Sequence, residues 1–316
     1  MTVPLSAPEA VAAEPVGNGK VAYTRGVDAE KDGMFQGGSA EELTTDIYVQ
    51  DAAPGAARTR VNAPNDKADI TPSFSPNGRK IAWASNAAGS FDIMVKNLRT
   101  GVIRRLTKTP RANERWPNWS SDGKQIVYNR RSGKNNLDVW VMSSDGSDPH
   151  YVAGLTGPGK YAEDCCASFS ADDSSVVFAS NRDGSFDLYR YDLNGSASES
   201  RRHLTRLTST RFYEGTPSVE AGGTVLFRSS DGQKMYRIDP QDPQAGAALV
   251  PTVGMIRTPS GSPDGRKVVF GSMTAPGAQL DIAVADARGG NQIRLTDTAR
   301  FSETDPTWQP VTRTTR

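Results

Sequence analysis

Five carboxylates, Asp69, Glu114, Asp164, Glu214 and Glu303, recur at one place in a repeating pattern. Each stands three residues before a proline, except that Ala167 takes the proline's place after Asp164, and the sixth copy carries Ile256. Carboxylates gathered at one opening can hold a cation, and hard cations such as calcium take several oxygen ligands. The same position could instead cap a strand by accepting hydrogen bonds from loop N–H groups. Arg25, Arg130, Arg182, Arg211, Arg228 and Arg257 fall in loops facing these carboxylates and could grip an anionic group. Trp116 and Tyr213 offer flat apolar surfaces beside them.

Other candidate chemistry is sparse. The tetrad Glu163-Asp164-Cys165-Cys166 puts thiols beside carboxylates, which could hold a transition metal. Its spacing matches no paired C-x-x-C zinc pattern, and a free cysteine is commonly a small buried hydrophobe. A disulfide between such neighbours would be strained, so the pair does not report the redox compartment. The two histidines, His150 and His203, fall in surface loops away from the carboxylates, which argues against a histidine-based triad or metal lyase site. No G-x-S-x-G elbow precedes a helix, and the glycine-rich run at 32–38 lacks the lysine of a phosphate-binding loop.

The elements that carry these residues are repeats. ITPSFSPNGRKIAWASNAAGSFDIMVKNL from Ile70 parallels RWPNWSSDGKQIVYNRRSGKNNLDVWVMS from Arg115 and CCASFSADDSSVVFASNRDGSFDLYRYDL from Cys165. Weaker copies begin at Thr216 and Thr258. The residues that end the first strand, Phe74, Trp119, Phe169, Val219, Gly261 and Trp308, are 42 to 50 residues apart. That is the period of a four-stranded propeller blade. Within each copy a first strand ends at an Asp/Asn-Gly turn, and a second alternates apolar residues, as at Ile81/Trp83 and Val176/Phe178. A third strand opens on an aspartate (Asp46, Asp92, Asp138, Asp187 or Asp281) suited to binding turn N–H groups. The copy closes on Leu-Thr, as at Leu106-Thr107 and Leu207-Thr208. No sustained 3.6-residue stripe marks a helix.

The ends of the chain fix the closure. The N-terminal copy starts at a second strand, GKVAYTR, and the C-terminal copy stops after a lone first strand, TDPTWQP. The fold class is therefore all-β: a six-bladed β-propeller of four-stranded blades, closed by a C-terminal inner strand that joins the N-terminal strands. Closure of this kind removes open sheet edges. The expected layout is a flexible segment at 1–16, one propeller domain at 17–310 and a tail at 311–316. The segment between Tyr23 and Asp46 is much longer than its counterparts. It should lie on the carboxylate face, as either a lid tipped by Met34 and Phe35 or an inert loop.

Composition sets the outer limits. A chain of 316 residues buries roughly 75% of its unfolded surface, so no disulfide or metal staple is required. The formal charge of +1 argues against bulk attraction to nucleic acid, and no apolar run is long enough to span a bilayer. The N-terminus lacks the basic and apolar regions of a signal peptide.

The pattern D-x-x-P-x-[FW]-S-x-[DN]-G, then S-[ND]-R-x-G-x-x-D-[IL]-[YW], then L-T, resembles the WD-type repeat of TolB-like propellers. The copies at 69–107 and 164–208 carry it best. The resemblance implies a six-bladed funnel, often periplasmic or secreted and often a binding module for proteins. The family's namesake has a further N-terminal domain, for which this chain offers no room. The leading expectation is a monomeric binding module that takes a protein, peptide or small molecule at the funnel mouth. The alternative is a stand-alone lyase, hydrolase or cyclase that uses Glu114, Asp164 and Glu214, with or without a divalent cation. The candidate ligand-binding set is Asp69, Glu114, Asp164, Glu214, Glu303, Trp116, Tyr213, Cys165, Cys166, Arg130, Arg182 and Arg257. A shared fold does not choose between these functions.

Overall fold

In the computed structural model, residues 16–26, 44–132, 137–152, 162–193, 203–231, 233–275 and 278–312 are described. They form 24 strands in six antiparallel sheets of four. The first blade contains β1 (Val16–Gly26), β2 (Thr45–Gln50) and β3 (Thr59–Arg60). The second contains β4 (Asp69–Phe74), β5 (Lys80–Ala88), β6 (Ser90–Asn97) and β7 (Ile103–Arg105). The third contains β8 (Ala112–Trp119), β9 (Gln125–Ser132), β10 (Leu137–Ser143) and β11 (His150–Tyr151). The fourth contains β12 (Asp164–Phe169), β13 (Ser175–Ser180), β14 (Asp187–Asp192) and β15 (Leu204–Arg206). The fifth contains β16 (Glu214–Val219), β17 (Val225–Ser229), β18 (Lys234–Ile238) and β19 (Ala248–Val250). The sixth contains β20 (Met255–Gly261), β21 (Lys267–Met273), β22 (Asp281–Asp286) and β23 (Ile293–Arg294). The last strand, β24 (Ser302–Thr312), returns to the first blade, giving the order β24-β1-β2-β3.

The core is a ring of apolar clusters, one between each pair of neighbouring blades. Both faces of every second strand are buried, and alternate residues serve different clusters. Ile81 and Trp83 of β5 pack toward the first blade with Ala22, Ile47 and Val61. Ala82 and Ala84 of the same strand pack toward the third blade with Trp119, Ile126 and Tyr128. The aromatic position read from the repeats, Tyr23, Trp83, Tyr128, Phe178, Phe227 and Phe270, is almost fully buried in every blade. Each such side chain contributes about 1.5–3 kcal/mol by leaving water.

The repeated polar residues hold the ends of the strands. Ser75, Ser120, Ser170 and Ser262 accept a bond at Oγ from the N–H of Lys80, Gln125, Ser175 and Lys267, at 2.9–3.0 Å. That bond pins the turn between first and second strands. Thr107, Thr208 and Thr296, from the Leu-Thr pairs, accept from the N–H of Ile93, Leu188 and Ile282 at 2.8–2.9 Å. The Leu-Thr pair thus fastens the end of a blade to its third strand. Leu155-Thr156 and most of the long insert lie outside the described residues.

Glycine is required where the closing strand meets the second blade. Gly78 has φ of 65°, and a Cβ there would stand 2.0 Å from the Pro310 carbonyl oxygen. Backbone cannot yield as a side chain could. Gly78→Ala should therefore cost about 2–3 kcal/mol of unfolding free energy. Urea denaturation measures this, and an unchanged midpoint would contradict the packing of β24 on this turn.

Candidate functional site

The five carboxylates occupy equivalent places at the start of the inner strands, and each is held by partners on its own blade or on the segment arriving from the preceding one. All are at most 4% exposed. Asp69 accepts from Trp83 Nε1 at 2.7 Å and Asn62 Nδ2 at 2.7 Å. Asp164 accepts from Arg182 Nη2 at 2.8 Å. Glu303 accepts from Arg25 Nε at 3.0 Å and from the Thr298 hydroxyl at 2.9 Å. Glu214 accepts from the Thr210 hydroxyl at 3.1 Å. Glu114 lies 3.6 Å from Arg130 Nε, with no hydrogen bond to either of its oxygens among the described residues. Burial pushes Glu114 and Glu303 up to about 7, and also raises Asp69, Asp164 and Glu214. Among the described residues no three His, Cys, Asp or Glu side chains stand close enough to share an ion. The five carboxylates thus face different partners.

Four of the third-strand aspartates, Asp46, Asp92, Asp187 and Asp281, behave as turn or ion-pair groups, whereas Asp138 makes no ion pair among the described residues. Asp92 binds Arg105 at 2.8 Å, and Asp187 binds Arg206 at 2.6 Å and accepts from the N–H of Thr210. Of the arginines, Arg182 is spent on Asp164, and Arg130 also lies over the Trp140 ring at 4.5 Å. Arg257 donates to Gln233 and to the Ile256 carbonyl oxygen. Arg228 lies over the Tyr213 ring at 5.2 Å.

Two residues farther along each inner strand the backbone turns left-handed. Thr71, Trp116, Cys166, Thr216, Thr258 and Asp305 have φ between 38° and 59°. Each sits at a register shift between first and second strands, so each is a bulge. Non-glycine residues take this conformation only when their surroundings impose it. Side chains supply part of that restraint. The N–H of Thr71 donates to Thr24 Oγ1, that of Cys166 to Asn129 Oδ1 and that of Asp305 to Thr258 Oγ1, at 2.8–3.0 Å. The six bulges, with the residues that follow them, line a narrow central cavity of about 110 Å³. The channel wall is thus mainly Thr, Ser and Pro, with Asp305 its acidic group.

A wider cavity of about 400 Å³ opens at the mouth, over the third to fifth blades. Trp116, Phe186, Tyr213, Leu137 and Cys165 form its apolar walls, and Asn113, Arg115, Arg131 and Glu163 complete it. The Phe186 and Tyr213 ring centroids are 5.1 Å apart. Arg131 grips both carboxylate oxygens of Glu163, one of them at 2.9 Å. Cys165 and Cys166 are unbridged and buried, and their mutual contact and burial push the Cys165 thiol well up. Buried cysteines of this kind act as packing groups.

The domain pattern described as the TolB beta propeller domain matches residues 39–158 and 136–312. This chain belongs to the TolB β-propeller family. The Tol-Pal system protein TolB of Francisella tularensis is 25% identical over 248 residues, covering 78% of this chain and 55% of that protein. The chain therefore spans about half the length of the curated relatives it matches. The crystal structure of TolB from Acinetobacter baumannii superposes with a TM-score of 0.71 at 22% identity, covering 92% of this chain and 66% of that one. Hydrazine synthase of Kuenenia stuttgartiensis superposes with a TM-score of 0.74 at 10% identity, covering 94% and 47%. Likeness at such low identity shows the fold alone.

Within this TolB-like propeller, the expected set divides. Trp116, Tyr213 and Cys165 meet at the mouth cavity, and Cys166 lines the channel. Arg115, Arg131, Phe186 and Asn113 belong to the mouth without having been expected there. Arg115 and Asn113 flank the ring carboxylate Glu114, so shifting the repeat alignment by one residue in each direction exposes them. Phe186 gave no such signal, since it precedes a third-strand aspartate assigned to a turn.

Proposed function

We propose that this TolB-like propeller is a non-catalytic binding module that captures a segment of a protein partner at the mouth of its channel. The observation that carries this is the aromatic cavity walled by Trp116, Phe186 and Tyr213, with the Arg131–Glu163 pair at its edge. A concave apolar pocket ringed by a few oriented polar groups suits an anchoring side chain. The similar TolB proteins named for a Tol-Pal system support a protein partner over a small metabolite. Burial of the ring carboxylates against separate local partners fits a scaffold role better than turnover.

A displayed random-peptide selection against the folded protein tests the reading. Peptides with an aromatic or aliphatic anchor should emerge. Trp116→Ala and Phe186→Ala should weaken their binding by about 2 kcal/mol, roughly 30-fold, as expected for a central anchor pocket. Selected peptides that bind both variants as tightly as the parent would place the contact elsewhere.

A further inference from the structure

A second cleft, of about 740 Å³, opens on the same face between the second and third blades. It shares Asn113 and Arg115 with the mouth cavity but has a different character. Arg105, Lys108, Arg111 and Arg115 line it, and no carboxylate does. The charges around it are not equivalent. Asp92 answers Arg105 at 2.8 Å, and Arg105 Nε donates to the Thr107 carbonyl oxygen at 3.0 Å. Glu114, beside Arg115 in sequence, lies against Arg130, and Glu163 is held by Arg131. Lys108 and Arg111 are exposed and make no ion pair among the described residues.

Arg115 is the built element of the cleft. Its guanidinium lies over the Phe91 ring at 4.1 Å, and its Nε is buried with no acceptor among the described residues. Burial, with the Arg131 charge nearby, draws its pKa down to about 10, so it stays protonated at neutral pH. A half-buried guanidinium with an unused donor favours an oxyanion, because its planar fork matches carboxylate and phosphoryl oxygens. The cavity volume suits a small ligand.

We propose that this cleft binds a small multivalent oxyanion, bearing phosphoryl or clustered carboxylate groups, with Arg115 as the inner donor and Lys108 and Arg111 as outer cations. The proposal does not rest on the partner-binding reading: Asn113 and Arg115 border both cavities, but the aromatic walls of Trp116 and Tyr213 play no part in it.

Isothermal titration at low ionic strength with inorganic pyrophosphate and with citrate tests it, sulfate serving as the small-anion reference. At least one of the two should bind saturably and more tightly than sulfate, and added salt should weaken it. The tighter of the two assigns the phosphoryl or the carboxylate class. Arg111→Gln and Arg115→Gln should each lower affinity by about tenfold. Arg99→Gln, in the exposed turn after β6 on the opposite face, should leave it unchanged. Arg111 is exposed, so its variant tests the site even if Arg115→Gln fails to fold. Absence of saturable binding to both anions, or an equal loss in Arg99→Gln, would overturn the proposal.

Discussion

A chain ending at Phe301 should show no cooperative unfolding transition. The missing segment is not a peripheral strand. β24 pairs with β1 from Gly26↔Ser302 to Val16↔Thr312, and β1 in turn carries β2 and β3. Trp308 completes the cluster of Val21, Tyr23, Val269, Ile282, Val284 and Leu295, which joins the sixth blade to the first. Its removal opens that cluster, strips the inner ladder from β1 and frees the turn at Gly78. Burial of one large aromatic contributes about 1.5–3 kcal/mol, and several more residues lose cover with it. The combined loss rivals the roughly 5–15 kcal/mol by which ordinary domains are stable. Circular dichroism during urea denaturation measures the effect, and a synthetic peptide of residues 302–316 added in excess should restore a transition. A truncated protein that keeps the full-length melting temperature would refute the closure.

Closure was legible in the sequence because each blade repeats one set of strand-end signals. The aspartate, the Asp/Asn-Gly turn and the Leu-Thr pair each perform one local hydrogen-bonding task, and Ser75, Asp92 and Thr107 show all of them in one blade. Such tasks depend on neighbours close in the chain, so residue type and spacing reveal them. A missing first strand at one end and a lone one at the other then left a single way to close the ring.

The site was legible only in part, because its character depends on burial and on contacts between blades. The ring position of Asp69 and its counterparts could be counted along the chain. That Asp69 is taken by Trp83 of its own blade and by Asn62 at the end of the preceding one depends on where those side chains reach in the folded ring. The left-handed bulge is a further case. Thr71-Pro72, Trp116-Pro117 and Asp305-Pro306 are visible dipeptides, yet a residue before proline is ordinarily expected in extended conformation. Restraint from Thr24 and Thr258, on neighbouring blades, overrides that preference. Phe186 reaches the mouth only because the fifth blade sets Tyr213 against it.

Stability should fall as pH rises from about 5 to about 8, and Glu114→Gln should remove part of that fall. Burial holds Glu114 near 7 in the folded protein, whereas an unfolded glutamate titrates near 4.3. Between those values the native chain keeps a proton that the unfolded chain has released. The native state then binds more protons, so raising the pH favours unfolding until the folded group also ionises. The Glu114 contribution is thus greatest below about 4.5 and is lost as pH passes through 7. Glu303 and Asp305, also pushed up to about 7 by burial, act in the same direction. Asp122 and Asp172 act oppositely: turn hydrogen bonds draw both down to about 2, so what they contribute is lost only as pH falls below about 4. The most stable range should therefore lie near pH 4.5–6. A shift of the size at Glu114 corresponds to roughly 4 kcal/mol at most, since each pH unit is worth about 1.4 kcal/mol. The neutral amide has no charge to desolvate and no proton to release. The variant should accordingly match the parent near pH 5 and exceed it by about 1–3 kcal/mol at pH 8. Denaturant unfolding of both proteins at the two pH values decides the matter. Parallel curves over the whole range would mean that Glu114 is already ionised at pH 5, with Arg130 as an effective counter-ion.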